Sequence, residues 1–232
     1  MLRWGLEKRN GQKGRLGMFN EKERQAVYDI FVCHKTDTCM DPLAFLDFIQ
    51  EASTSEIYHV IKNHYRELIP VHTSNIPQLS EVEDMFKAIR ILNDSEEKMD
   101  MFTLGYYLLG GNGSREAQRK YGETHYNFAC QLGLAVKLPR KRTMLTDLGI
   151  AFYYKNDMEM KHITNRLILE IPLLQQSLLK AEARYISMVE ELGKYLSPST
   201  VARRRSNMHN MLNWLGETAD DEMRTILSNI AW

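Results

Sequence analysis

The sequence predicts a mainly α-helical protein in which a helical N-terminal module precedes a unit carrying one small two-stranded β element. Three observations carry that expectation. Apolar residues recur at spacings of three and four along most of the chain, the period that lines one face of a helix. Helix-start signals stand where those stretches begin, such as Asp41 before Pro42 and Ser197 before Pro198. Only two short runs, 134–136 and 143–145, read as strands, and they flank the basic loop 137–142.

In chain order, residues 1–19 form a basic, flexible arm in which Arg3, Lys8, Arg9, Lys13 and Arg15 face Glu7 alone. Residues 20–69 form the helical module. Asn20 caps a helix with Val27, Ile30 and Phe31 on its apolar side. A second starts at Asp41-Pro42 with Phe45, Leu46 and Ile49, and a third, about 53–68, places Ile57, Val60, Ile61, Tyr65 and Leu68 on one face. Pro70 and Pro77 bracket an extended connection. The next unit, 75–157, opens with a helix carrying Val82, Met85, Phe86, Ile89 and Leu92.

Within that unit the sequence predicts a helix at 100–109, a glycine-rich turn at 110–113 and a short helix at 114–120. A turn at Tyr121-Gly122 and a helix at 123–132 follow, the latter ended by Gly133 as a left-handed cap. Thr146 or Asp147 caps the next helix. A C-terminal helical domain, 158–216, is broken at Pro172 and carries Leu173, Leu174, Leu178, Ala181, Tyr185, Met188, Val189 and Leu192 on one face. Residues 217–232 form an acidic tail.

Composition bounds function. Of 232 residues, 44% are hydrophobic and 26% charged, which excludes a wholly disordered or fibrous chain. The 30 basic and 30 acidic residues cancel, so attraction to a polyanion must come from local patches. Three cysteines, Cys33, Cys39 and Cys130, are an odd number without the dense spacing of a disulfide-stapled domain, which points to the cytoplasm. No stretch has the roughly 20 apolar residues that span a bilayer, and the basic start lacks a signal-peptide core, so no membrane partner is expected.

The order helix, short helix, turn, helix, basic two-stranded wing, helix is that of a winged helix-turn-helix, whose second helix enters the major groove of double-stranded DNA. Tyr126, Ala129, Cys130 and Gly133 fall on one side of that helix, Thr124, Asn127 and Gln131 on the other. Asn and Gln amides pair with adenine edges and a threonine methyl touches thymine, so this second set, with His125 at its edge, is the base-reading candidate. Phosphate-binding candidates are Arg115, Arg119, Lys120, Arg140, Lys141 and Arg142. Residues 110–142 hold seven basic side chains against Glu116 and Glu123, a local excess that favours phosphate neutralisation. A second basic helix begins at Pro198, where Arg203 and Arg204 offer further backbone contacts and the solvated-face alternative stays open.

The runs KYGETHYNFACQLGLAV, MLTDLGIAF and STVARRRSNMHNMLNWL resemble a helical and winged-helix region of bacterial restriction-endonuclease-related proteins. Lys120, Tyr121, Gly122, Glu123 and His125 fit that pattern, as do Leu145, Thr146, Leu148, Gly149, Ser199, Thr200, Arg203 and Arg204. Thr124 departs from it. The similarity covers about 75–216 and implies DNA recognition within a restriction or defence system, without implying cleavage.

Catalysis finds little support. Asp147 with Glu159 and Lys161 has the spacing of a magnesium nuclease but lies in predicted helix and loop. Cys33, His34 and Cys39 lack a convincing fourth zinc ligand, although His59, His64 and His72 lie downstream. Glu123 and His125 suit capping or DNA contact better than acid–base work. No cofactor is expected. The favoured expectation is a sequence-specific duplex reader, serving a restriction system or transcriptional regulation, acting as a homodimer or beside an enzymatic subunit. The alternatives are an adaptor whose winged helix docks another subunit and a nuclease with an unrecognised site.

Overall fold

The computed structural model describes residues 42–64, 70–79, 81–95, 99–138 and 143–232. The expected basic arm and the helix opened by Asn20 lie outside them, as do Cys33, His34 and Cys39. Helices dominate, with two small sheets.

The N-terminal half begins with α1 (Pro42–Glu51) and α2 (Thr54–His64). A 3-10 turn, Thr73–Asn75, follows, then α3 (Glu83–Asp94) and α4 (Met101–Leu108), the latter capped by the Asp100 carboxylate on the Thr103 N–H. The chain turns through Gly110, Gly111 and Gly113, all with positive φ, into α5 (Arg115–Gln131). Gln118 fixes the turn by donating from Nε2 to the Gly111 and Asn112 carbonyls, 3.0 Å each.

Helix α5 is continuous where the sequence suggested a break at Tyr121-Gly122. The glycine serves packing instead of turning: a Cβ on Gly122 would stand 2.1 Å from the Met101 carbonyl oxygen of α4. The helix does end at Gly133, with φ +74. Strands β1 (Ala135–Lys137) and β2 (Thr143–Leu145) then pair antiparallel, Ala135 opposite Leu145. Tyr126 bolts this hairpin to α5, its hydroxyl donating to the Val136 carbonyl and accepting from the Met144 N–H at 3.0 Å. Tyr126→Phe removes both bonds and leaves a strand N–H without its acceptor, so a loss of about 1–3 kcal/mol is expected. Equilibrium urea unfolding measures it; an unchanged midpoint would mean the hairpin does not depend on this hydroxyl.

The C-terminal half contains α6 (Asp147–Tyr153), α7 (Asp157–Leu167), α8 (Pro172–Ala183), α9 (Met188–Gly193), α10 (Pro198–Glu217) and α11 (Asp221–Ser228). Thr146 caps α6, accepting from the Gly149 N–H at 3.1 Å. Asn156 and Glu159 close a capping box on α7. Pro172 occupies the first turn of α8, where its missing N–H costs nothing. The single apolar face expected across this region is interrupted by β3 (Ile186–Ser187), which pairs parallel with β4 (Ile230–Ala231). Tyr185, expected on that face, is 77% exposed.

One hydrophobic cluster runs through the described residues, from Phe45 and Ile57 to Leu215 and Ile230. Helices α1 and α2 are part of it: Arg166 on α7 donates to the Ala52 carbonyl at 2.9 Å, and Tyr58 donates to Glu182 of α8 at 2.8 Å. The acidic tail is likewise built in. Asp220 binds α2 through Thr54 and Ser55, Glu222 pairs with His59, and Glu217 pairs with Lys161. Asp220 ties this segment to α2, whereas Glu217 and Glu222 sit in exposed pairs that add little.

Candidate nucleic-acid interface

Helix α5 positions most of the sequence-nominated residues, and two glycines decide how it is held. Ideal Cβ atoms on Gly105 and Gly122 would meet Gln118 and Met101 backbone at 1.7 and 2.1 Å, so α4 and α5 touch backbone to backbone. That contact fixes which side of α5 turns outward. Lys120 is exposed and Thr124, Asn127 and Gln131 are partly exposed, successive at spacings of three and four.

These four side chains line a polar groove of about 210 Å³ whose other wall is the connection 74–78. Gln131 Nε2 donates to the Ser74 carbonyl at 3.3 Å, so its amide is partly engaged. Thr124 and Asn127 make no side-chain hydrogen bond to described residues. Ile76 and Pro77 are buried and anchor the connection, leaving Gln78 exposed beside α5. Nothing in the sequence marked this segment as the neighbour of the α5 face. The paired prolines signalled an extended connection but not its destination.

His125 turns inward and leaves the base-reading set. It is 1% exposed, its Nδ1 lies 2.9 Å from the Tyr121 carbonyl, and its ring packs at a tilt against Tyr121, centroids 4.3 Å apart. Its Nε2 has no hydrogen-bond partner among the described residues, and burial holds its pKa below the ordinary histidine value. The Tyr121 hydroxyl donates to Asp84, which also pairs with Lys87 at 2.5 Å. Burial alone would raise the Asp84 carboxyl, but hydrogen bonds from Lys87 and Tyr121 outweigh it and lower the pKa. The cluster joins α3 to the inner side of α5.

The phosphate candidates divide. Arg115 is exposed, its guanidinium 4.9 Å from the Phe102 ring centre. Arg119 bridges Glu116 at 2.6 Å and Glu123 at 3.2 Å, so it is a neutralised cation facing two carboxylates. Exposed bridges of this kind are worth little and exchange readily. Arg140, Lys141 and Arg142 lie outside the described residues, although the strands that carry their loop are in place and Lys137 is exposed on β1. On α10, Arg203 is exposed and Arg204 half-buried.

Among the described residues no three His, Cys, Asp or Glu side chains gather to hold a metal ion. Glu159 caps α7 and accepts from Gln50, whereas Lys161 pairs with Glu217 and lies 5.7 Å from the Trp214 ring. Cys130 is partly exposed at the edge of α5, and burial pushes its thiol up to about 11, which leaves it protonated and unreactive near neutral pH. No helix among the described residues is long and apolar enough to cross a membrane. Compared with known families, curated proteins and solved structures, the chain matches none of them.

Proposed function

We propose that the chain binds double-stranded DNA by laying α5 in the major groove, with the β1–β2 hairpin as a wing beside it. The observation that carries this reading is the outward face of α5, where Lys120, Thr124 and Asn127 line a polar groove on a helix locked to α4 through two glycines. Groove reading needs such rigidity, because a base contact displaced by an ångström is lost. In this reading Asn127 pairs with a base edge, Thr124 touches a thymine methyl and Lys120, Arg115 and the wing loop neutralise phosphates. The resemblance to restriction-related regions supports a role as the recognition part of a defence system, with transcriptional regulation as the other use of such a unit.

A titration of labelled random-sequence duplex at two salt concentrations tests it. Binding that weakens steeply as salt rises is expected. No binding at low salt, or indifference to salt, overturns it. Asn127→Ala is expected to relax preference at one position by about 1–3 kcal/mol in a selection from random duplexes. The adaptor reading draws on a different observation, the exposure of Tyr106 and Tyr107 on α4 at 46% and 56%. Tyrosines so exposed suit a protein interface, and salt-insensitive capture of a second protein subunit would favour it.

A further inference from the structure

The fold contains a second short-helix, turn, long-helix arrangement. Helix α9 has six residues, residues 194–197 turn the chain, and α10 runs for 20 residues from Pro198. The order matches α4, glycine turn and α5. Leu192 of α9 and Val201 of α10 are both buried and belong to the common hydrophobic cluster. The far half of α10 is held independently, by Asn165 on the Trp214 carbonyl at 3.0 Å and by Trp214 Nε1 on Glu83 at 2.9 Å. Helix α10 is therefore packed at both ends, and its first turns present Ser199, Ala202, Arg203, Arg205 and Ser206 to solvent.

Those turns are unusual in charge. Arg203 and Arg205 are exposed and Arg204 half-buried, and none of the three reaches a carboxylate among the described residues. Elsewhere the surface cations on helices commonly pair, as with Arg90 and Asp157 or Lys180 and Glu191. In a chain with 30 acidic residues to 30 basic ones, three adjacent unneutralised guanidiniums leave an uncompensated local repulsion. Around them Ser199, Ala202 and Ser206 are exposed and short, so a backbone could come close to the helix between the arginines. Unpaired guanidiniums on either side of short side chains suit the charge of a phosphate backbone.

We infer that α9, its turn and α10 form a second double-stranded DNA contact, in which Arg203 and Arg205 clamp phosphates without reading sequence. This inference rests on the reading of the chain as a duplex binder and adds a site separate from α5. Both arginines are exposed, so their replacement leaves the core untouched.

The test measures anisotropy of a labelled random-sequence duplex with the full chain, with Arg203→Ala/Arg205→Ala and with Lys120→Ala/Asn127→Ala, each across a salt series. For the arginine pair, the slope of log affinity against log salt is expected to fall by about 2, with a similar loss for every sequence. Arg203→Lys/Arg205→Lys is expected to restore most of the slope. An unchanged slope for the arginine pair, while the α5 pair weakens binding, overturns the second site and leaves the α5 reading standing. A loss confined to the arginine pair supports the second site and overturns the α5 reading. No binding by the unaltered chain overturns both.

Discussion

Gly105→Ala is expected to destabilise the protein by about 3 kcal/mol or more, the upper end of overpacking effects. The added methyl has nowhere to go. Its carbon would stand 1.7 Å from the Gln118 carbonyl oxygen, 2.5 Å from the carbonyl carbon and 2.9 Å from the Gly122 nitrogen, all backbone of α5. A flexible side chain could swing aside, but a helix backbone relieves such a clash only by moving as a body. Helix α5 would then part from α4 and loosen Gln118, which holds the glycine turn. Thermal unfolding should show a fall of about 6–12 °C, given about 2–4 °C per kcal/mol for a chain of this size. Gly193 supplies the control. Among the described residues nothing lies within 4 Å of a Cβ there, so Gly193→Ala is expected to be neutral or to stabilise by up to about 1 kcal/mol through a stiffer unfolded chain. Equal melting temperatures for the two variants would refute the backbone contact, and with it the rigidity proposed for the groove-facing side of α5.

The same glycine pair shows where the sequence was legible and where it was not. Helix existence followed from apolar spacing, and caps at Asp100, Ser114 and Thr146 fall where side-chain chemistry places them. Gly133 ends α5 in the left-handed conformation that such a cap requires. Gly122 carried the same local signal and means something else, because only the approach of α4 distinguishes a packing glycine from a turning one. His125 failed for a related reason. Helical period places it at the edge of the outward face, yet the ring packs on Tyr121 of its own helix near Asp84, which α3 brings in from 41 residues upstream. Local pattern places Tyr185 on a helical apolar face because the two-residue strand that interrupts the helix is created by pairing with Ile230 and Ala231, a partner invisible to that pattern. The α5 face itself was largely readable, since Thr124, Asn127 and Gln131 are polar at helical spacing opposite Tyr126 and Ala129. The groove wall at 74–78 was not.

Asp220→Ala is expected to cost about 3 kcal/mol, because one carboxylate serves two helices whose donors would lose their acceptor together. Its Oδ1 caps α11 by accepting from the Met223 N–H at 2.9 Å. Its Oδ2 accepts from the Ser55 N–H and hydroxyl, both at 2.8 Å, and from the Thr54 hydroxyl at 3.2 Å, which pins the start of α2. Burial alone would raise this carboxyl, but the hydrogen bonds from Met223 and Ser55 outweigh it and lower the pKa. A folded-state pKa below the unfolded one means that the unfolded chain binds the proton more readily. The stabilisation is therefore fully present above about pH 4, the unfolded aspartate value, and is lost as pH falls through the folded pKa. The stability gap between the unaltered chain and Asp220→Ala should thus be widest near neutral pH and narrow in acid. Urea unfolding across that range measures it; a gap that stays constant with pH would show that the ionised carboxylate is not what holds α2 to α11. Because Asp220 lies at the far end of α10 from Arg203, the variant should retain the full salt slope for duplex binding at temperatures where it remains folded. A reduced slope there would instead mean that the placement of α10 depends on Asp220, coupling the stability of the body to the proposed second contact.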